Sequence, residues 1–139
     1  MAQRAKHFEY DVRLDRAGRV AAAEGAPLEL PEEWTPEHLV LAGLVRCSIT
    51  SLRYHAARAG GDAVADGSAW GLVTKRDDDG RYAFVEIECR IDVEVEPAPD
   101  DVPELLAKAE RDCFVGASLT VKPRYRWIVN AAAAEAAAA

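Results

Sequence analysis

Residues 35–47 of the chain read T-P-E-H-L-V-L-A-G-L-V-R-C. Thr35 is suited to cap a helix, Pro36 to occupy its first position, and Glu37 to place a negative charge in its first turn. Apolar residues then continue through residues 39–57, and two successive glycines end the pattern. Because these residues form more than one stripe, the pattern predicts a long central helix that is buried on most sides.

Strand signals lie on both sides of this helix. Alternating apolar and polar residues bounded by turn residues predict strands, at residues 8–14, 19–23, 26–31, 70–75, 82–95 and 118–129. The small and polar residues 62–68 predict a loop. In the last strand Pro123 favours an edge position, because proline cannot donate to a ladder.

The C-terminal part of the chain contains a second helix signal. Asp101 is suited to the N-cap and Pro103 to the first turn, whereas Cys113 falls near the C-terminal end and Gly116 at the exit. Helices and strands in this order predict an α+β fold and one domain over residues 1–130. Residues 131–139 form a low-complexity, alanine-rich tail, to which we assign no function.

Composition excludes several classes of partner. The chain has 139 residues, half of them hydrophobic, with a net charge of -7 and a pI near 5.0. Such a charge disfavours nucleic acid and anionic membranes, since both bind basic patches. No apolar run reaches the length of a membrane span and the start lacks a secretory apolar region, so we predict a cytoplasmic protein.

The three cysteines do not form a secreted disulfide framework or a zinc-binding pair of short spacing. Cys47 follows an arginine on the long helix, and Cys113 lies at the predicted end of another helix. These contexts suit a reactive thiol and its resolving partner, although a free cysteine is commonly a small buried hydrophobe. Cys89 occupies a buried position of an alternating strand and is predicted to be structural.

Sequence motifs support a family assignment. The stretch T-P-E-x-L, a cysteine ten residues after its glutamate and a later D-C-x-x-x-x-S-L resemble the OsmC/Ohr family of organic hydroperoxide peroxidases. The resemblance runs from about residue 8 to residue 127. It implies antiparallel sheets wrapped around a long central helix in an intertwined homodimer. It also implies an organic hydroperoxide as substrate and a lipoyl-type dithiol as reductant.

The resemblance assigns four catalytic residues. Cys47 would be peroxidatic and Cys113 resolving. Arg16 matches the arginine of the family's G-R-D-G-R stretch, here D-R-A-G-R, with Arg13 and Arg19 as alternatives. Glu37 matches the glutamate that aims this arginine at the thiolate.

Helix geometry adds a separate constraint. Glu37 and Cys47 are ten positions apart on one predicted helix, so they lie about 15 Å apart along its axis. Either the helix breaks, near Gly43, or the glutamate comes from a partner subunit whose helix crosses antiparallel. A two-fold dimer is the simpler answer, because it generates two identical sites and buries an over-apolar helix.

Apolar residues near the two cysteines are candidates for the wall of a substrate pocket: Trp34, Leu41, Leu44, Val45 and Phe114. No metal, flavin or nucleotide motif is visible, so no cofactor is expected. The stretch after Cys113 lacks the proline and asparagine of the family's C-P-x-S-N, which places substrate choice in question. The alternative function is a non-enzymatic OsmC-like dimer that binds a small apolar ligand or senses oxidants.

Overall fold

The computed structural model describes residues 4–23 and 25–136. Within them the chain forms seven strands and three helices: β1 Val12–Leu14, β2 Arg19–Ala22, β3 Leu28–Glu29, α1 Pro36–Arg58, β4 Asp62–Lys75, β5 Tyr82–Glu96, α2 Val102–Arg111, α3 Phe114–Ser118, β6 Arg124–Val129 and β7 Ala132–Ala134. The predicted α+β class is confirmed. The chain divides into two compact units, one ending at Pro36 and one beginning at Glu37.

The first unit is a three-stranded antiparallel sheet in the order β1-β2-β3. The turn between β1 and β2 is held by Asp15, whose carboxylate accepts hydrogen bonds from the backbone N–H groups of Ala17 and Arg19, both at 2.9 Å. Gly18 has a φ of 85°, a conformation that favours glycine. All three strands occupy predicted positions but are shorter than predicted.

Helix α1 runs unbroken through Gly43, so the predicted long helix is confirmed and a break near that glycine is not found. The prediction that this helix is buried on most sides is wrong for the single chain. Only one stripe is buried, formed by Leu44, Ser48, Ser51, Leu52 and Ala56. Leu39 and Val40, at the start of the helix, are more than one third exposed at 39% and 37%.

The second unit contains a four-stranded sheet in the order β4-β5-β6-β7. Residues 62–68, predicted as a loop, instead begin the long strand β4, which pairs with β5 from Asp62 opposite Glu96. The small residues that β4 presents to the core, Ala63, Ala65 and Gly67, give little hydrophobic contrast with their neighbours. Residues 62–68 therefore form a strand because they pair with β5.

Strand β5 supplies the centre of the core. Its alternation is confirmed over residues 87–95, where every second side chain is buried. A register shift between Leu72 and Val73 leaves Val85 only partly buried, and the ring of Phe84 instead lies over Gly71.

Strand β6 is not an edge strand, contrary to the prediction. It pairs in parallel with β5 and antiparallel with β7. Pro123 precedes the first strand residue, so it removes no ladder hydrogen bond. The beginning of the alanine-rich tail forms β7, after a turn in which Asn130 and Ala131 have φ values of 51° and 64°. Asn130 stabilises this turn, since its Oδ1 accepts the Val95 N–H at 2.9 Å.

Helix α2 begins as predicted, because the Asp101 side chain accepts the Glu104 N–H at 3.1 Å. Its end differs in part from the prediction. The last helical residue is Arg111, so Cys113 lies near the end of α2 as predicted, but it is also the N-cap of a short helix α3 that was not predicted. Gly116 lies inside α3 and is not a helix exit. Among the described residues, no helix is both long and apolar enough to cross a membrane.

Candidate active site

The second unit brings Cys47 and Cys113 together. Cys47 lies on α1 and is half-buried, whereas Cys113, at the start of α3, is fully buried. The backbone N–H of Val115 donates to the Cys47 sulfur at 3.5 Å, and that of Gly116 donates to the Cys113 sulfur at 3.4 Å. Two consecutive N–H groups of α3 thus bind the two sulfurs. The structure therefore pairs the two cysteines that the sequence selected.

Burial raises the pKa of the Cys47 thiol above its ordinary value. The N–H groups of Val115 and Phe114 lower this pKa, and the neighbouring Cys113 thiol raises it. In the described part of the chain, no cation contributes to these shifts. The raised pKa favours the neutral thiol, and a nearby positive charge would favour the thiolate instead.

Two residues that the sequence pattern did not reveal lie beside Cys113. Ser48 is buried on α1, and its Oγ lies 3.5 Å from the Cys113 sulfur and 2.9 Å from the Tyr125 hydroxyl. Tyr125 reaches this position from β6. Helical spacing could have indicated Ser48, because a serine four residues after Leu44 falls within the apolar stripe of α1.

The third cysteine, Cys89, is buried on β5. Burial raises the pKa of its thiol to about 11, and the neighbouring Ser48 hydroxyl opposes this shift. A thiol with such a pKa remains protonated at neutral pH and is a poor nucleophile. This environment supports the structural role predicted for Cys89.

Polar contacts attach α2 and its C-terminal end to neighbouring elements. Ser51 on α1 donates to the Ala109 carbonyl at 2.8 Å, and His55 Nε2 lies 2.8 Å from the Asp112 carboxylate. On the sheet side, the Trp127 indole N–H donates to Glu110 at 2.8 Å. These contacts connect α2 to α1 and to β6.

The three arginine candidates lie in the first unit. Arg19 is paired with Asp15 at 2.9 Å, so its guanidinium is already engaged. Arg16 lies exposed in the β1–β2 turn, and Arg13 is exposed on β1. Within the described residues neither of these two has an ion pair. Of the three candidates, Arg19 is thus the one with an ion pair among the described residues.

Residues predicted to form the pocket wall occupy different environments. Leu44 is fully buried in the core. Leu41 and Val45 face β4, where their methyl groups lie 3.3 and 3.2 Å from Cβ positions built on Gly71 and Gly67. Phe114 is 56% exposed beside Cys113, and Trp34, in the first unit, is 46% exposed. Leu44 is thus a core residue of the second unit.

A scan against protein-family models matches residues 30–127 to the family described as OsmC-like protein. The chain belongs to the OsmC family. Its members include the organic hydroperoxide resistance proteins that the sequence motifs resemble. A search of curated proteins gives no significant match.

Solved structures share the OsmC fold with this chain. An OsmC-like protein from Mycoplasma pneumoniae is 14% identical, with a TM-score of 0.64 over 89% of this chain and 97% of its own. An organic hydroperoxide resistance protein from Elizabethkingia anophelis is 16% identical, with a TM-score of 0.63 over 90% and 99%. OhrB, the Organic Hydroperoxide Resistance Protein of Bacillus subtilis, is 19% identical, with a TM-score of 0.55 over 86% and 96%.

Proposed function

We propose that the protein is a thiol peroxidase that reduces organic hydroperoxides, with Cys47 as the peroxidatic and Cys113 as the resolving cysteine. The observation that carries this proposal is the pairing of one half-exposed thiol with one buried thiol. Membership of the OsmC family and structural neighbours named organic hydroperoxide resistance proteins support the substrate class.

The reaction proceeds in three steps. The Cys47 thiolate attacks the terminal peroxide oxygen, the O–O bond breaks, and the alkoxide leaves as an alcohol after taking a proton. Cys47 is then a sulfenic acid, which Cys113 attacks to form a disulfide while the hydroxyl group and the Cys113 proton leave as water. An external dithiol reduces the disulfide and is itself oxidised. A lipoyl-type dithiol is the reductant that the family resemblance implies, and the cytoplasm is the compartment that we propose.

Activation of Cys47 requires a cation, since burial alone raises the pKa of its thiol. We assign this role to Arg16, which is exposed and has no ion pair among the described residues. Glu37 in the first turn of α1 would orient the guanidinium as a bidentate partner. It too lacks an ion pair within the described part of the chain.

A homodimer reconciles these roles with the length of α1. The helix is continuous, so Glu37 and Cys47 of one chain lie about 15 Å apart along its axis. The glutamate of a partner subunit would therefore serve each Cys47. Exposed apolar side chains of the first unit support an intertwined dimer, because such groups are normally covered: Phe8 59%, Tyr10 80%, Val12 67%, Leu14 68% and Leu28 58%.

Peroxide consumption by cysteine variants tests this proposal. Cys47→Ser should abolish turnover of an organic hydroperoxide with a dithiol donor. Cys113→Ser should consume about one equivalent and then accumulate oxidised Cys47. Cys89→Ser is the matched control and should retain turnover. Full activity of Cys47→Ser would contradict the proposal.

The raised pKa of Cys47 favours a second candidate, a non-enzymatic dimer that binds a small apolar ligand or senses oxidants. A sensor would be oxidised once by peroxide and would not turn over with dithiol. Multiple turnovers by the wild type would exclude it.

A further inference from the structure

Three hydrogen-bonding groups converge on the buried sulfur of Cys113. Ser48 Oγ lies 3.5 Å from it and the Gly116 N–H donates to it at 3.4 Å. The Tyr125 hydroxyl also interacts with this thiol. A Cβ built on Gly116 would lie 3.4 Å from the Tyr125 hydroxyl and 3.5 Å from the sulfur, so both groups face the same point.

The number of hydroxyl and thiol hydrogens determines which groups donate in this cluster. The one hydroxyl hydrogen of Ser48 is donated to the Leu44 carbonyl at 2.8 Å. Ser48 Oγ must therefore accept from the Tyr125 hydroxyl at 2.9 Å, and from the S–H of a neutral Cys113. Burial raises the pKa of Tyr125, so its hydroxyl keeps the proton that it donates.

The same cluster can also hold a thiolate. When the Cys113 sulfur departs from a disulfide as a thiolate, the Ser48 hydroxyl can rotate its hydrogen from the Leu44 carbonyl to that sulfur. That carbonyl keeps the backbone N–H of Ser48 as its helical partner, because the two residues are four positions apart in α1. The change therefore leaves no buried carbonyl unpaired, and it adds hydrogen bonds to a charged acceptor, which are stronger than neutral ones.

We propose that Ser48 and Tyr125 are positioning residues that stabilise Cys113 as the leaving thiolate when the Cys47–Cys113 disulfide is reduced. This inference rests on the proposed function. A thiolate of the external dithiol attacks the half-exposed Cys47 sulfur, the S–S bond breaks, and its electron pair passes to the Cys113 sulfur. The second thiol of the reductant then attacks the mixed disulfide, releases reduced Cys47 and leaves the dithiol oxidised.

Exposure and hydrogen bonding favour the same direction of attack. Cys47 is accessible to a reductant, whereas Cys113 is 0% exposed. Disulfide exchange is faster when the departing sulfur is better stabilised as a thiolate. The buried cluster would thus assist the reductive step, whereas the group that activates Cys47 assists the peroxidatic step.

Reduction kinetics of the preformed disulfide test this inference. The wild type, Ser48→Ala and Tyr125→Phe are each oxidised with diamide, a general thiol oxidant, and then reduced with an excess of dithiothreitol. Each variant should be reduced about tenfold more slowly: Ser48→Ala lacks a hydrogen bond to the leaving sulfur, and Tyr125→Phe lacks the hydrogen bond that orients the Ser48 hydroxyl toward it. The initial rate of Cys47 oxidation by cumene hydroperoxide should stay within twofold of wild type, roughly the limit expected for a step that does not use these donors.

Matched controls separate this role from a general effect on packing. Ser51→Ala removes another buried hydroxyl of α1, one that donates to the Ala109 carbonyl and not to a thiol. Tyr54→Phe removes an exposed phenol from the same helix. Both should be reduced at the wild-type rate, and Ser48→Thr, which keeps a hydroxyl, should recover most of the loss seen in Ser48→Ala.

The outcomes are distinguishable. Wild-type reduction rates in Ser48→Ala and Tyr125→Phe would overturn the inference, as would equal slowing in Ser51→Ala. If Ser48→Ala does not fold, Tyr125→Phe carries the test, since it keeps the ring that stacks on Trp127 at 5.4 Å. If cumene hydroperoxide forms no disulfide in the wild type, the proposed function fails, while the diamide-formed disulfide still reports on the leaving group.

Discussion

At the scale of single residues, the site is a contrast between two thiols with different surroundings. Cys47 is half-exposed and has a raised pKa, with backbone N–H groups as its only described donors. Cys113 is buried and is contacted by two hydroxyl groups and an N–H. The proposed catalysis at Cys47 would therefore need a charge supplied from elsewhere, whereas Cys113 already has hydrogen-bonding groups around its sulfur.

Arg16→Ala tests the source of that charge. A guanidinium near Cys47 would lower the pKa of its thiol, so the variant should titrate Cys47 at higher pH and react with hydroperoxide more slowly, by roughly tenfold or more. Alkylation rates of Cys47 as a function of pH measure the effect. Arg19→Ala is the control, since Arg19 is paired with Asp15. Equal pKa values and oxidation rates in wild type and Arg16→Ala would show that Arg16 is only a turn residue.

Asp112 forms an ion pair with the adjacent Arg111 and a hydrogen bond with His55 of α1, and it should contribute acid sensitivity. A hydrogen bond from Arg111, and a smaller one from His55, lower the pKa of Asp112 from 3.8 to about 2. A carboxylate whose pKa falls on folding contributes stability above pH 3.8, and this contribution disappears as the pH falls toward about 2. Because its side chain is 40% exposed, the contribution at neutral pH should be below about 1 kcal/mol.

Urea unfolding of Asp112→Asn measures this contribution. The variant should be slightly less stable than wild type at neutral pH, and the difference should vanish below about pH 2. Asp66→Asn, an exposed carboxylate change on β4, is the control. A difference that persists unchanged at the lowest pH would assign the effect to packing.

At the scale of elements, α1 approaches β4 closely because β4 has glycine where the helix passes. Val45 lies 3.2 Å from a Cβ built on Gly67, and Leu41 lies 3.3 Å from one built on Gly71. Larger side chains at these positions would separate helix and sheet. Small residues thus allow the helix to contact the strand closely. They also remove the alternation of apolar and polar residues that indicates a strand, so the first half of β4 was predicted as a loop.

Gly67→Ala should be destabilising. Its Cβ would lie 2.7 Å from the backbone oxygen of Arg90, so a paired strand would have to move, at a cost of about 1–3 kcal/mol. Gly43→Ala is a matched control, because nothing lies within 4 Å of its Cβ and alanine is the better helix former, so it should stabilise by up to about 1 kcal/mol. Thermal unfolding of both variants measures the difference. If Gly67→Ala unfolds at the wild-type temperature, the strands can separate without a cost in stability.

At the scale of the whole molecule, the proposed chemistry requires two copies of the chain. Continuity of α1 keeps Glu37 and Cys47 of one subunit apart. If the glutamate acts across the dimer, a heterodimer of Glu37→Gln and Cys47→Ser subunits contains one intact site. Its activity should be about half that of wild type and above that of the Glu37→Gln homodimer.

Heterodimers purified through two different affinity tags provide the measurement. Sedimentation first establishes the oligomeric state of each preparation. If the heterodimer has no more than half the activity of the Glu37→Gln homodimer, the glutamate and the cysteine of each site belong to the same subunit.

The sequence alone determined the features that depend on local pattern. Capping and proline signals predicted the starts of α1 and α2, and strict alternation identified the buried face of β5. Motif spacing selected Cys47 and Cys113 and led to the OsmC family. These signals lie within short windows, where backbone preferences and side-chain periodicity act directly.

Tertiary structure decided what depends on distant partners. Residues 62–68 form a strand because they pair with β5. Strand β6 is internal because the start of the tail pairs with its other side as β7. The same packing brought Ser48 from α1 and Tyr125 from β6 to the sulfur of Cys113. A serine within an apolar stripe and a tyrosine on a strand carry no local mark of a shared site, because the contact between them spans 77 positions of the chain.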